Sequence, residues 1–318
     1  LQETVTAWNY VSTKKVSEPT WSPDQAQVLE EIDRRLDGGD AFYDRVSDSP
    51  IYLGGDPGTG KSEVLVHAAI RAAEGGHMVL VMCPTGTLVH AYRERIPAHP
   101  NIVIETIHSA TVIVRVNDQV VMYAPPTRFR RYDLFLIDEA SQIENPVASR
   151  LRMALAELPH RPVIVVAADY RQLQPIAGGG DVLQWCMEMD QYYLTVVHRT
   201  QDPELLNFLH AIRKDQPSRE VVERFLRPRH FPKSLETAVA MSVEYQRRRG
   251  QHFMWLCVTN KGANEINTMA LKFWEVTAAQ MNYGYDGDAN ASAGKMFIKS
   301  GLWVRLTRNL DKPRGFVN

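Results

Sequence analysis

Nine residues near the start of the chain, GGDPGTGKS (54–62), place glycine, lysine and a hydroxyl in an order suited to phosphate chemistry. In the pattern Gly55-x-x-x-x-Gly60-Lys61-Ser62, glycines let backbone N–H groups turn inward around phosphate oxygens. Lys61 then reaches the β- and γ-phosphates, and the Ser62 hydroxyl holds Mg²⁺. Asp56, Pro57, Gly58 and Thr59 complete the wall of the expected nucleotide site. The apolar run IYLGG (51–55) precedes the loop. Val64, Leu65, Ala68, Ala69 and Ala72 follow it at helical spacing. A strand–loop–helix is therefore predicted, with the helix N-terminus adding partial positive charge. That context separates the stretch from a glycine-rich turn with a chance lysine.

A metal-assisted site needs a carboxylate, and LFLIDEAS (134–141) supplies two. Asp138 ends an apolar run and suits Mg²⁺; Glu139 suits polarising the attacking water. An acidic pair after a strand also reads as charge at a helix N-terminus, since ASQIENP continues the chain. The two motifs together favour nucleotide hydrolysis. A guanine-reading loop would carry Asn-Lys-x-Asp, and Asn260-Lys261-Gly262-Ala263 lacks the aspartate, so ATP is expected. Two motifs alone leave a small-molecule kinase open.

The elements that must position these residues are legible as alternation. Apolar runs at 51–55, 78–83, 101–106, 132–138 and 162–169 are separated by helical patterns. Continuous β-branched runs between helices predict an α/β fold with a parallel sheet covered on both faces. Such sheets bind ligands beyond the carboxyl ends of their strands, where the motifs fall. The helix after the loop is expected to stop at EGGH, with Gly75 or Gly76 in the left-handed cap. WSPDQAQVLEEI (21–32) reads as a helix start with Ser22 as N-cap, Pro23 first, and Gln25 closing a capping box. The second half holds an amphipathic segment at 202–214, a basic Pro-punctuated stretch at 213–233 and a strand-like run, FMWLCVT (253–259). Residues 279–300, rich in Gly, Ala and Asn, read as a long loop or insertion.

Composition sets the class. The chain has 318 residues, 44% hydrophobic and 23% charged, which fits globular domains with real cores. Length favours two of them. A net charge of −1 excludes a global basic field, so any nucleic-acid site must be a local channel. The three cysteines lack metal spacing; Cys83 and Cys257 sit in apolar runs and read as buried thiols in an intracellular, reducing compartment. No run reaches the ~18 apolar residues of a membrane span, so no membrane partner is expected. Arg128, Arg130 and Arg131 form a basic cluster, and Arg247–Arg249 another, read as phosphate contacts or as solvated loop charge.

Four further segments decide the class. CPTGTLVHAYRERI (83–96), TIHSAT (106–111), ADYRQLQPI (168–176) and LTVVHRTQD (194–202) occur in an order that resembles superfamily 1 DNA helicases, in the 5′→3′ branch of RecD-like and Pif-type enzymes. The resemblance runs from about Trp21 onward, weakly at 215–250 and 279–300. It implies a P-loop NTPase with two RecA-like domains: an N-terminal ATPase domain over 1–199 and a partial second over 200–318. It implies that Pro84, Thr85 and Gly86, with Thr106, His108 and Ser109, track a DNA single strand. Turn and cap chemistry explains the same residues without a ligand. Asp169 and Gln172 resemble the segment that senses the γ-phosphate; Ala168 stands where the family usually has Gly. Arg199 matches the arginine that reaches the γ-phosphate, with a surface salt bridge as the bland alternative. Gln25 matches the residue that reads adenine. LCVTNKGANEINTMAL (256–271) resembles the start of the second domain, with Thr259, Asn260 and Asn267 as its polar positions. GLWVRLTRNLDKPRGFVN (301–318) resembles the strand and turn before the family's next motif. The last two motor motifs are not seen, so the resemblance implies a fragment or a one-arginine motor.

The expected activity is an ATP-dependent DNA helicase or translocase moving 5′→3′ on forked or tailed DNA, alongside replication or repair proteins. The alternative is a nucleotide-gated nucleic-acid- or protein-binding module without unwinding activity. A kinase would leave ADYRQLQPI unexplained.

Overall fold

The computed structural model describes residues 19–38, 49–112, 114–116, 119–121, 127–172, 175, 178–214, 216–231, 233–250 and 253–274. The elements run α1 (Pro23–Asp37), β1 (Ile51–Gly55), α2 (Lys61–Glu74), β2 (Val79–Cys83), α3 (Gly86–Arg95), β3 (Ile102–Thr106) and α4 (Ile107–Thr111). They continue with β4 (Val114–Val116), β5 (Gln119–Val121), β6 (Leu134–Ile137), α5 (Asn145–Ala156), β7 (Val163–Ala167), α6 (Gly180–Met187) and β8 (Asp190–Leu194). Then follow α7 (Pro203–Lys214), α8 (Arg219–Leu226), α9 (Leu235–Arg249) and α10 (Asn260–Phe273). The chain divides after Lys214 into two compact units.

In the first unit, six strands form one sheet in the order β3-β2-β6-β7-β1-β8, every neighbouring pair parallel. All strand carboxyl ends therefore lie on one edge. Registers such as Leu53 opposite Ala167 and Ile137 opposite Val166 bring the ends of β1, β6 and β7 level. Successive strand residues face opposite ways. Val79 and Val81 join the core under α1, α2 and α3, whereas Leu80 and Met82 join the core under α4, α5 and α6. Both sides of β2 are fully buried, which is why its sequence is a continuous apolar run. All five expected strands are present. The sixth, β8 (DQYYL), is an edge strand with alternating exposure, so it carries no such run.

Helix starts follow the local chemistry. Ser22 caps α1 with Pro23 at its first position and a closed capping box to Gln25. α2 ends at Glu74; Gly76, with φ of 92°, takes the left-handed conformation. α7 realises the amphipathic segment at 202–214 and lies in the first unit, although the sequence reading grouped it with the second half.

The second unit, among the described residues, is helical: α8, α9 and α10. Arg247 donates to the Phe273 carbonyl at 2.6 Å and lies over the Trp274 ring, joining α9 to α10. FMWLCVT is not a strand; Leu256 and Val258 are 91% and 104% exposed, and Cys257 is exposed rather than buried. A buried strand needs paired neighbours, and no described strand flanks this run, so its apolar side chains have no sheet to enter. Cys83 is buried. The expected insertion at 279–300 and the segment at 301–318 lie outside the described residues.

Candidate nucleotide-binding site

β1 delivers the glycine-rich loop to the carboxyl edge of the sheet. Gly55, Gly58 and Gly60 have φ of 147°, 87° and 89°. Gly60 is the N-cap of α2, so the loop turns directly into the helix N-terminus. Thr59 is buried and its hydroxyl donates to the Asp56 carbonyl at 2.8 Å. Lys61 is 8% exposed, and its ammonium donates to the carbonyls of Gly55 at 2.7 Å and Asp56 at 3.3 Å. Burial lowers the Lys61 pKa, opposed by the nearby Asp169, Glu139 and Asp138 carboxylates.

β6 delivers the carboxylates. Asp138 is 2% exposed. Its Oδ2 accepts from Ser62 Oγ at 2.8 Å and from Tyr92 Oη at 2.6 Å; its Oδ1 accepts from the Glu139 N–H at 2.9 Å. Glu139 adopts a left-handed backbone, φ 50°, and caps a 3-10 turn, Ala140–Gln142. Burial, then the Asp138 charge, raises the Glu139 pKa. Glu139 Oε2 is buried without a hydrogen-bond partner. A buried carboxylate oxygen left unpaired is costly unless a ligand, water or ion completes it. Ser62 and Asp138, two hard oxygen donors in contact beside an N–H cradle, fit a divalent cation that keeps most of its waters. The positive-φ glycines and the α2 N-terminus fit a phosphate.

β7 delivers Asp169, which is 4% exposed. Gln172 Nε2 donates to its Oδ2 at 3.0 Å. Arg213, from α7, donates to both oxygens, at 3.0 and 2.8 Å, while its Nε lies 2.9 Å from Asp56 Oδ1 in the loop. Burial raises the Asp169 pKa, but the bonds from Arg213 and Gln172 outweigh it and the net direction is down. His210, one turn earlier on α7, is 3.7 Å from Asp56 Oδ2. Sequence reasoning missed Arg213; nothing in its neighbourhood signals partners 44 and 157 positions away.

The segment after β8 closes on the loop. The His198 N–H donates to the Gly58 carbonyl at 2.8 Å. A Cβ on Gly58 would lie 2.5 Å from Arg199 Cβ. The Arg199 side chain is exposed, next to the loop. Gln25 is 4% exposed and both ends of its amide are used: Oε1 accepts from the Ser22 N–H at 3.1 Å, and Nε2 donates to the Thr59 carbonyl at 2.9 Å. The capping box and the loop thus share one side chain.

The residues expected to track a strand sit differently. Pro84, Thr85 and Gly86 follow β2, and Thr85 caps α3 by accepting from the Leu88 N–H at 3.3 Å. Thr106 caps α4 through the Ser109 N–H at 3.2 Å. His108 and Ser109 are exposed beside it. Thr259 caps α10 through the Gly262 N–H at 3.1 Å, with Asn260 exposed at the helix start. The first two groups lie at neighbouring strand ends, since Cys83 pairs with Thr106. Thr259 and Asn260 belong to the other unit.

Most of the described basic clusters serve structure. Arg128 grips Glu105 with both terminal nitrogens and the carbonyls of Ser109 and Ala110, stapling α4. Arg131 bonds the Tyr132 hydroxyl, and Arg248 pairs with Glu244.

A family model described as "AAA domain" matches residues 44–229, more than half of the chain. The ATP-dependent DNA helicase PIF1 of Danio rerio is 24% identical over 199 residues, 58% of this chain and 30% of that protein. The crystal structure of Pif1 helicase from Candida albicans is similar with a TM-score of 0.51 and 18% identity, over 79% of this chain and 61% of that one. At that identity the likeness is one of fold. The chain spans under a third of the curated relative's length. No helix among the described residues is long and apolar enough to cross a membrane.

Proposed function

The chain belongs to the AAA domain family, and on that premise we propose that it is an ATP-dependent DNA helicase or translocase. The observation that carries the reading is the gathering of Lys61, the Ser62–Asp138 pair, Glu139 and the Asp169–Gln172 pair on one edge of a parallel sheet. Similarity to helicases of the PIF1 name supports the substrate class.

ATP binds with its phosphates over the loop and the α2 N-terminus. Lys61 moves from loop carbonyls to the β- and γ-phosphate oxygens, exchanging neutral acceptors for anionic ones. Ser62 and Asp138 would hold Mg²⁺, which would supply positive charge against the phosphates. Glu139 orients the attacking water and accepts its proton, a role its raised pKa favours. Gln172 meets the γ-phosphate while Asp169 fixes its amide. Arg199, whose backbone rests on Gly58, supplies a second positive charge. Gln25, which donates to the Thr59 carbonyl, reads the adenine edge.

The strand lies along Pro84–Gly86 and Thr106–Ser109. A threonine hydroxyl that accepts from a helix N–H still has its own proton to give a phosphate. Travel is 5′→3′ and the work is duplex unwinding in replication or repair. ATP turnover by the chain, with and without single-stranded DNA, tests this, with Lys61→Ala as the inactive control. DNA-stimulated turnover that Lys61→Ala abolishes supports the motor. Turnover indifferent to DNA supports the nucleotide-gated binding module instead.

A further inference from the structure

Asp138 has a partner that the nucleotide chemistry above does not use. Tyr92, in the second turn of α3, is 2% exposed, and its hydroxyl donates to Asp138 Oδ2 at 2.6 Å. Ser62 donates to the same oxygen at 2.8 Å. Asp138 Oδ2 is thus held by two hydroxyls from two helices. Only Ser62 belongs to the loop.

The arrangement is anchored around the tyrosine. Its ring packs in the core with Val89, Val81, Cys83 and Leu136. Arg93, the next residue, donates to the Ile104 carbonyl of β3 at 2.9 Å, holding α3 to the sheet. The buried hydroxyl is aimed at the carboxylate and donates to it. A phenylalanine would fill the same core volume, so packing alone does not require the hydroxyl.

We propose that Tyr92 is a positioning residue for the metal: its hydroxyl fixes the Asp138 carboxylate in the rotamer that, with Ser62, binds the divalent cation. Outer hydrogen bonds of this kind orient metal ligands, and their loss weakens metal affinity by about 10–100-fold. Thr85 caps α3, so one helix joins the expected strand segment to the partner of the metal carboxylate.

The proposal rests on the reading of Asp138 as a metal ligand. Its test is the Mg²⁺ concentration giving half-maximal binding of a fluorescent, non-hydrolysable ATP analogue to the whole chain. Wild type, Tyr92→Phe, Tyr92→Leu and Asp138→Asn are compared. Tyr92→Phe should raise the half-saturating Mg²⁺ about tenfold or more, while affinity for the analogue in a chelator stays within about twofold. If Asp138→Asn weakens metal-dependent binding while Tyr92→Phe matches wild type, the positioning role is wrong. If Tyr92→Leu alone is impaired, the ring matters only for packing and the proposal falls. If Asp138→Asn leaves the Mg²⁺ dependence unchanged, the metal reading itself fails and takes the proposal with it.

Discussion

The phosphate side and the strand side of the site are built by different means. On the phosphate side, Lys61, Asp138 and Asp169 are each at most 8% exposed, and the two carboxylates are bonded by side chains from distant segments. Ser62 reaches Asp138 across 76 positions, and Arg213 reaches Asp169 across 44. On the strand side, Thr85 and Thr106 each accept from a backbone N–H three residues ahead, in exposed hydrogen bonds. Local caps follow from helix termination alone. Buried charges brought together from distant segments cost desolvation, and the fold gains little by them. The phosphate side therefore bears the mark of a ligand in its construction, whereas the strand side rests on its location at neighbouring strand ends.

The largest effect should come from cutting the longest-range tie. Arg213→Ala leaves the buried Asp169 without its ion-pair partner, held only by Gln172 and the Arg171 N–H, and should destabilise the first unit by roughly 3 kcal/mol, read by denaturant midpoint. ATP turnover should fall with it. Arg213→Lys keeps the charge but loses the two-pronged grip, and should recover only part of both. Equal behaviour of Arg213→Lys and wild type would reduce the contact to simple charge. Next, Gly58→Ala forces a Cβ to 2.5 Å from Arg199 Cβ at a φ of 87°. About 1–3 kcal/mol of strain and overpacking is expected, with loss of nucleotide affinity as the segment at 197–199 is pushed off the loop.

The strand side predicts smaller stability changes. Thr85→Ala and Thr106→Ala should each cost about 1 kcal/mol as lost caps. If they also weaken single-stranded DNA binding, and Thr→Ser restores it, the hydroxyls serve the strand as well as the helix. If DNA binding is untouched, they are caps alone. The smallest effect concerns acid. Asp24 accepts from Thr195 N–H and Oγ1, and its pKa is lowered from 3.8 to about 2; burial opposes this, but the bonds from Ser22, Thr195 and Gln25 prevail. Its stabilisation is therefore complete above pH 3.8 and lost as pH falls through about 2. The melting-temperature gap between wild type and Asp24→Asn should shrink over that window.

The sequence made visible what is local or continuous. Four interior strands and the edge strand β3 announced themselves as apolar runs, and Ser22, Pro23 and Gln25 announced a helix start. β8 (DQYYL), the other edge strand, did not, because it alternates exposed and covered positions and its sequence is no apolar run. FMWLCVT misled for the converse reason: it has a strand's composition, and no described strand pairs with it. The same error placed Cys257 inside. Within the site, Lys61, Ser62 and Asp138 were legible because motif spacing records their geometry. Tyr92 and Arg213 were not, since their roles exist only once α3 and α7 have docked. Gln25 was legible as a contest between cap and ligand. Its amide bonds both the helix start and the Thr59 carbonyl of the loop, which realises the cap reading and ties it to the loop.

The central claim is that a nucleotide held on the phosphate side is felt on the strand side. The direct test is the affinity of the chain for single-stranded DNA without nucleotide, with ADP, and with a non-hydrolysable ATP analogue, each in Mg²⁺. Coupling between two sites is reciprocal and typically worth about 5–150-fold. The account predicts at least about a fivefold difference between nucleotide states, abolished by Lys61→Ala. Equal affinity in all three states would contradict it.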